Sequence, residues 1–232
     1  MTEASPAPYP APPAVPSLER IRMAYQRRHE SDYVFSFWSA LGWMVLTLGI
    51  YRFYVFYQLM RRTRDHNQRR GELLDAATAL AWEKAQEQGL DEELRPNFER
   101  IGAQMQVLSS LSRDFRDPAV WTALLVVAGI IVRIIEWILI DGDLVRHDYA
   151  EGAIEAELST IYGRLGVSVP APDPTRLKNK HNYVARVIVY IVTGTIYGLW
   201  WYANVFRDGN RHFQHNWAWE DGLAHAVQRL SA

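Results

Sequence analysis

The sequence predicts an all-α integral membrane protein, and three observations carry that expectation. Apolar residues gather in three runs, 34–51, 119–140 and 183–202, separated by strongly polar stretches. Between the first two runs Phe98, Ile101, Met105, Leu108, Leu111 and Phe115 recur at steps of three and four, the period of one helix face. The first and third runs also end alike. Thr47-Leu48-Gly49-Ile50-Tyr51 leads into Phe53, Tyr54, Phe56 and Tyr57, then into Arg61, Arg62, Asp65 and Asn67; Thr193-Gly194-Thr195-Ile196-Tyr197 leads into Trp200, Trp201 and Tyr202, then into Asp208, Asn210 and His212. Aromatic residues before charge is the order of a helix leaving a membrane, because Tyr and Trp settle at headgroups while Arg and Asp need water.

Averages hide this pattern. The 232 residues are 49% hydrophobic and 22% charged, with a mean hydropathy of -0.19 that describes neither the runs nor the stretches between them. A net charge of -1 gives no basic excess for nucleic acid. The absence of cysteine excludes disulfides and thiolate ligands.

Taken in order, residues 1–17 are rich in Pro and Ala and read as a disordered tail. Residues 18–70 form the first membrane repeat, with Arg20, Arg22, Arg27 and Arg28 as a basic collar and Arg52 where the apolar run weakens, so a kinked or re-entrant segment is the alternative to a full span. Residues 71–117 are expected as an extramembrane helical hairpin with a stop at Gln88-Gly89. Residues 118–166 hold the second membrane helix and its extension, started by Pro118 and capped by Gly166. At 22 residues, the run 119–140 is long enough to cross a hydrocarbon core of about 30 Å. A Pro-rich basic linker, 167–182, carries Arg176, Lys178 and Lys180. Residues 183–232 form the second membrane repeat and a polar C-terminal helix.

The paired Thr-x-x-Ile-Tyr steps, with Asp208-x-Asn210-x-His212-Phe213 and Trp217, Trp219, Glu220 and Asp221, resemble a bacterial membrane-protein family catalogued only as a domain of unknown function. The resemblance spans roughly residues 33–225. It implies a small multi-pass protein of the cytoplasmic membrane and supplies no activity.

Three groups of residues invite a functional reading. Asp208, His212 and His215 fall at 0, +4 and +7 on a helix, a spacing that could hold a divalent metal with His147 or Glu151 as a fourth ligand. The same region, as His147, Glu151, Asp208, Asn210, His212 and Glu220, is expected to act structurally, tying the end of the third apolar segment to the helix carrying Glu155. Arg133 and Glu136, three apart within the second run, are expected to pair. No nucleotide loop, nucleophile elbow or His-Glu-x-x-His motif occurs, so no catalytic residue or cofactor is expected. The resulting expectation is a non-catalytic scaffold or accessory subunit that contacts membrane lipids and meets a protein partner, or a second copy, through residues 72–116. The alternative is a metal or small-ligand site at the membrane surface built from Asp208, His212 and His215.

Overall fold

The computed structural model describes residues 15–113, 117–175 and 179–230. Secondary structure among them is all helical: α1 (Ser17–Gln26), α2 (Arg28–Ser31), α3 (Phe37–Leu46), α4 (Tyr51–Glu87), α5 (Asp91–Arg113), α6 (Pro118–Arg164), α7 (Tyr183–Thr193) and α8 (Thr195–Leu230). Residues 1–14 of the Pro-rich tail lie outside the described residues, as do Phe115, Arg176 and Lys178. Ser17 opens α1, where its hydroxyl donates to Glu83 at 2.8 Å.

Each of the three apolar runs turns back on itself at a glycine. Between α7 and α8, Gly194 takes φ 59° and ψ -129°. Beyond it, Arg186 stacks against Trp201 at 5.5 Å, and a Cβ on Gly198 would lie 2.6 Å from the Tyr190 ring. In a straight helix residues 186 and 201 would be about 22 Å apart, so α7 and the start of α8 are the two arms of a hairpin. Between α3 and α4 the break falls at Leu48 (φ 50°) and Gly49 (φ 88°), and the arms rejoin where Arg62 Nη1 donates to Tyr33 O at 3.2 Å. Thr47 bridges this break: its hydroxyl donates to Trp43 O at 2.7 Å and accepts from Tyr51 N at 3.0 Å. In this first copy the Thr-to-Tyr spacing thus lets a hydroxyl satisfy the Tyr51 N–H across the reversal.

The middle run was expected as one membrane helix, and the structure interrupts it. Among the described residues, Pro118–Arg164 alone is long and apolar enough to cross a membrane, with a mean hydropathy of 2.5 in its apolar part. Gly129, however, interrupts it at φ 49° and ψ -113°, close to the conformation of Gly194. The α5 partners of α6 require a reversal there. Arg100 pairs with Glu157 and Glu93 with Arg164, so α5 runs antiparallel to the second half of α6 and brings Arg113 into one groove with Asn67 and Gln68. That is the level of His147, whose ring lies 5.3 Å from that of His66. In a straight α6, Pro118 would stand about 43 Å from His147, whereas the chain from Arg113 to Asp117 can span no more than about 14 Å. Hydropathy cannot see this, because two antiparallel arms of eleven residues have the same composition as one span. A side chain at Gly129 would be strained, so Gly129→Ala should lower stability by about 1–3 kcal/mol. Thermal unfolding of the detergent-solubilised protein measures it, and an unchanged midpoint would contradict the reversal.

The three hairpins share one core: Val55, Phe56, Leu59, Met60, Leu125, Val132, Trp137, Trp201, Val205 and Phe206. A second core lies at the other end, where α1, α4, α5, α6 and α8 pack as a bundle. Its tight packing rests on Ala76, Ala77, Ala81 and Ala85 of α4, each fully buried, which let neighbouring helices approach closely. The stripe Phe98, Ile101, Leu108 and Leu111 of α5 is buried, with Phe98, Ile101 and Leu108 packed against Leu73, Ala77, Leu80 and Ala81 of α4. Two expected basic features also change meaning. Arg20, Arg27 and Arg28 are no membrane collar, since they pair with Asp75, Glu72 and Asp221 of the bundle. Within the run 61–70, Arg62, Arg69 and Arg70 are buried. The Pro-rich linker is likewise docked, with Trp219 Nε1 donating to Pro170 O at 2.9 Å.

Candidate metal centre

Between the two apolar cores lies a layer of buried polar side chains, built from one stripe on each of three helices. Arg62, His66 and Arg70 recur every four residues on α4, His147, Glu151 and Glu155 on α6, and His212, Asn216 and Glu220 on α8. A four-residue step returns to nearly the same helix face, so each stripe points inward as a unit. All nine residues are 3% exposed or less.

At the centre, ligand atoms of His66, His147, Glu151 and His212 all lie within 4.8 Å of one another. His66 Nε2 is 3.1 Å from His212 Nε2, His147 Nε2 is 3.3 Å from Glu151 Oε1, and His212 Nε2 is 3.4 Å from Glu151 Oε2. Metal–ligand bonds of about 2.0–2.1 Å in a tetrahedron imply ligand–ligand edges of about 3.3 Å.

The outer contacts fix which ring nitrogens face inward. His66 Nδ1 lies 2.9 Å from Asp32 Oδ1, and His212 Nδ1 lies 2.7 Å from Asp148 Oδ1. Burial pushes Asp32 up, but His66, Arg69 and Ser31 outweigh it and hold the carboxyl well below its usual range. Asp32 also accepts from Arg69 Nη2 and Trp217 Nε1, both at 2.8 Å. An ionised carboxylate only accepts, so His66 Nδ1 must donate to it. Burial pushes the His66 ring down to about 3 against the pull of Asp32, which leaves it neutral with a bare lone pair on Nε2. With Nδ1 of His212 likewise directed at Asp148, the two Nε2 atoms face each other across 3.1 Å. His147 Nδ1 has no hydrogen-bond partner among the described residues, and its Nε2 has only the 3.3 Å approach to Glu151.

Too few donors face these acceptors. The Asn216 amide lies 3.2–3.4 Å from His66 Nε2, His212 Nε2 and both oxygens of Glu151, yet an amide carries two hydrogens. Burial would raise Glu151, but His147 and Arg70 hold it well below its usual range, so it adds negative charge at the centre. A cation would resolve the shortfall, and Asp32–His66 and Asp148–His212 match the carboxylate–imidazole pairs that commonly orient metal-bound histidines.

Beside this centre Arg70 is clamped by three carboxyl groups. Its Nε donates to Glu151 at 2.6 Å, Nη1 to Glu220 at 3.2 Å and Nη2 to Glu155, while its guanidinium stacks on Trp219 at 4.7 Å. Arg69 Nη1 donates to Glu220 at 2.9 Å. Burial pushes Glu220 up, opposed by Arg70 and Arg69.

Of the residues expected as ligands, the structure places His212 in the centre together with His147 and Glu151. Asp208 and His215 are not in it: Asp208 is half-buried, and His215 Nδ1 pairs with Asp173 at 3.2 Å. Of the expected polar cluster, Glu220 joins through the arginines, whereas Asn210 serves the hairpin bases by accepting from Arg62 at 2.7 Å and donating to Phe35 O at 3.0 Å. The expected pair in the second run does not form among the described residues. Arg133 instead donates to Tyr190 Oη at 3.0 Å, and both Glu136 oxygens lack a hydrogen-bond partner. His66, Asp32 and Asn216 were missed. His66 was legible, since it and His212 are 146 residues apart, the same offset as Thr47 and Thr193 or Tyr51 and Tyr197. Comparison of the chain with family models, curated proteins and solved structures returned no match.

Proposed function

We propose that this is a membrane-associated metalloprotein in which His66, His147, His212 and Glu151 hold one divalent transition metal of the zinc class. The observation that carries the reading is the convergence of four donor atoms within 4.8 Å, two of them imidazole nitrogens oriented by carboxylates. Three nitrogens and one oxygen within 4.8 Å of one another suit zinc, and also Co²⁺ or Fe²⁺. The role is structural. Four protein donors complete a tetrahedral set, and the cavity next to His66 measures about 20 Å³, room for roughly one water. The ion ties α4, α6 and α8 together between the water-side bundle and the apolar hairpins. Membrane association is supported by the exposed apolar surface of those hairpins.

Elemental analysis of protein purified without chelator tests this, with about one transition-metal ion expected per chain. His66→Ala and His212→Ala should each lose it. Co²⁺ added to the stripped protein should give the visible absorption of a four-coordinate site. Folded parent protein that carries no stoichiometric metal and develops no Co²⁺ spectrum would overturn the reading.

A further inference from the structure

The exposed apolar surface is concentrated at one end of the molecule. Leu48 is 95% exposed, Val127 86%, Ile196 80% and Val192 78%, and each lies at a hairpin tip. The tips 45–50, 126–131 and 191–196 contain only apolar residues, Thr and Gly. Along the arms Trp38, Val120, Leu124, Val184, Ile188 and Trp200 are exposed as well. A water-soluble protein does not present contiguous apolar surface of this extent without a partner.

The three tips point the same way and reach the same level. Tyr183, at the base of the third hairpin, donates to Asp141 at the base of the second at 2.7 Å, and Arg62 joins Tyr33 and Asn210 at the bases of the first and third. Halfway down, Phe37 meets Tyr202, and Trp137 meets Trp201 and Tyr202. Near the tips Gly49, Gly129 and Gly198 line one cavity of about 340 Å³, which also takes in Arg52, Arg133 and Glu136, so these charges stand where the hairpins face each other.

Length decides what covers this end. The arm α7 has 11 residues and therefore extends about 16 Å. Half of a hydrocarbon core of roughly 30 Å is about 15 Å. Exposed Arg61, Arg146, Lys180 and Arg207 lie more than ten residues along the chain from a tip, at the level where anionic headgroups would meet them. Each arm is helical, so its backbone groups pair within the arm, and the Thr47 and Thr193 hydroxyls donate to carbonyls of their own arms, as hydrocarbon requires.

We propose that the three hairpins enter a phospholipid bilayer from one side and end near its midplane, covered by the acyl chains of a single leaflet. No segment of the described chain crosses. This deepens the membrane association proposed above and is independent of the metal. The chain has no cysteine, so single cysteines report position directly. Gln26, Gln88, Ala156 and Gln228 are exposed on the bundle, and Leu48, Val127 and Val192 mark the tips.

Cysteine variants at these seven positions in sealed phospholipid vesicles should behave as two groups. The four bundle sites react with an impermeant maleimide from one common face. The three tip sites react from neither face until detergent is added, and spin labels on them report the depth of the bilayer centre by oxygen and nickel accessibility. Tip cysteines that react from the face opposite the bundle would overturn the one-leaflet proposal while leaving membrane association intact. Protein that fails to float with vesicles and runs as a soluble oligomer would overturn both, assigning the apolar end to a second copy.

Discussion

Arg70→Leu should abolish accumulation of the folded protein. Arg70 is fully buried, and its guanidinium donates to Glu151, Glu155 and Glu220, so removal leaves three buried carboxyl groups short of their shared cation. Breaking a buried ion pair by deleting one partner costs about 3–5 kcal/mol, a large part of the roughly 5–15 kcal/mol that stabilises a typical domain. Lost stacking on Trp219 adds to the effect. Arg70→Lys keeps the charge but cannot bridge three acceptors with a planar fork, so it should fall between the parent and Arg70→Leu. The double variant Arg70→Leu with Glu155→Leu should recover part of the loss, because one uncompensated carboxylate goes with the arginine. Size-exclusion profiles of detergent extracts and thermal midpoints give the order. An Arg70→Leu protein as abundant and stable as the parent would mean the clamp contributes nothing.

The metal enters the same electrostatic balance. Formally, Asp32, Asp148, Glu151, Glu155 and Glu220 bring five buried carboxyl groups to this layer, against Arg62, Arg69 and Arg70. Charge buried without compensation is costly in a low-dielectric interior. A divalent ion at the centre would offset the two remaining negative charges. On the proposed reading the arginines and the ion do different work: the guanidiniums satisfy oxygens at the periphery, while only a metal can accept lone pairs from three imidazoles at once.

Much of the fold could be read from spacing. The period of α5, the stop at Gly89 and the caps at Pro118 and Gly166 are local features whose physics is contained in a few neighbouring residues. Reversal of the apolar runs is not local in that sense. A glycine in a run such as 126–131 is compatible with a straight helix, and what makes Gly129 a turn is the position of α5 and of the other two hairpins. The centre was half legible for a related reason. Ligands sought along one helix gave Asp208, His212 and His215, whereas the structure takes single histidines from three helices. The upstream echo had been matched through Asp65-x-Asn67 and Asp208-x-Asn210, an offset of 143 residues. Aligned on Thr47 and Tyr51 the offset is 146, and it brings His66 onto His212. A slip of three residues on a helix turns the face by about 60°, enough to hide the matching histidine.

Asp148→Asn should separate the metal from its surroundings. Asp148 holds Nδ1 of His212 at 2.7 Å and makes the imidazole a stronger ligand through its charge. Asn can still accept from Nδ1–H, so the tautomer and ring position survive while the charge is lost. Outer partners of this kind are commonly worth about 10–100-fold in metal affinity. Metal binding stabilises by RT ln(1 + [L]/Kd), about 4 kcal/mol when the ion is present at a thousand times its dissociation constant. The thermal midpoint of the parent should therefore fall on chelation. Asp148→Asn should show a smaller difference between its metal-loaded and chelated forms at the same free zinc concentration, and its Kd from competition with a chelating dye should rise 10–100-fold. The chelated forms of the two proteins should unfold close to one another. If Asp148 serves only a polar network without metal, the variant will instead shift the chelated form, and the dye titration will register no change in affinity.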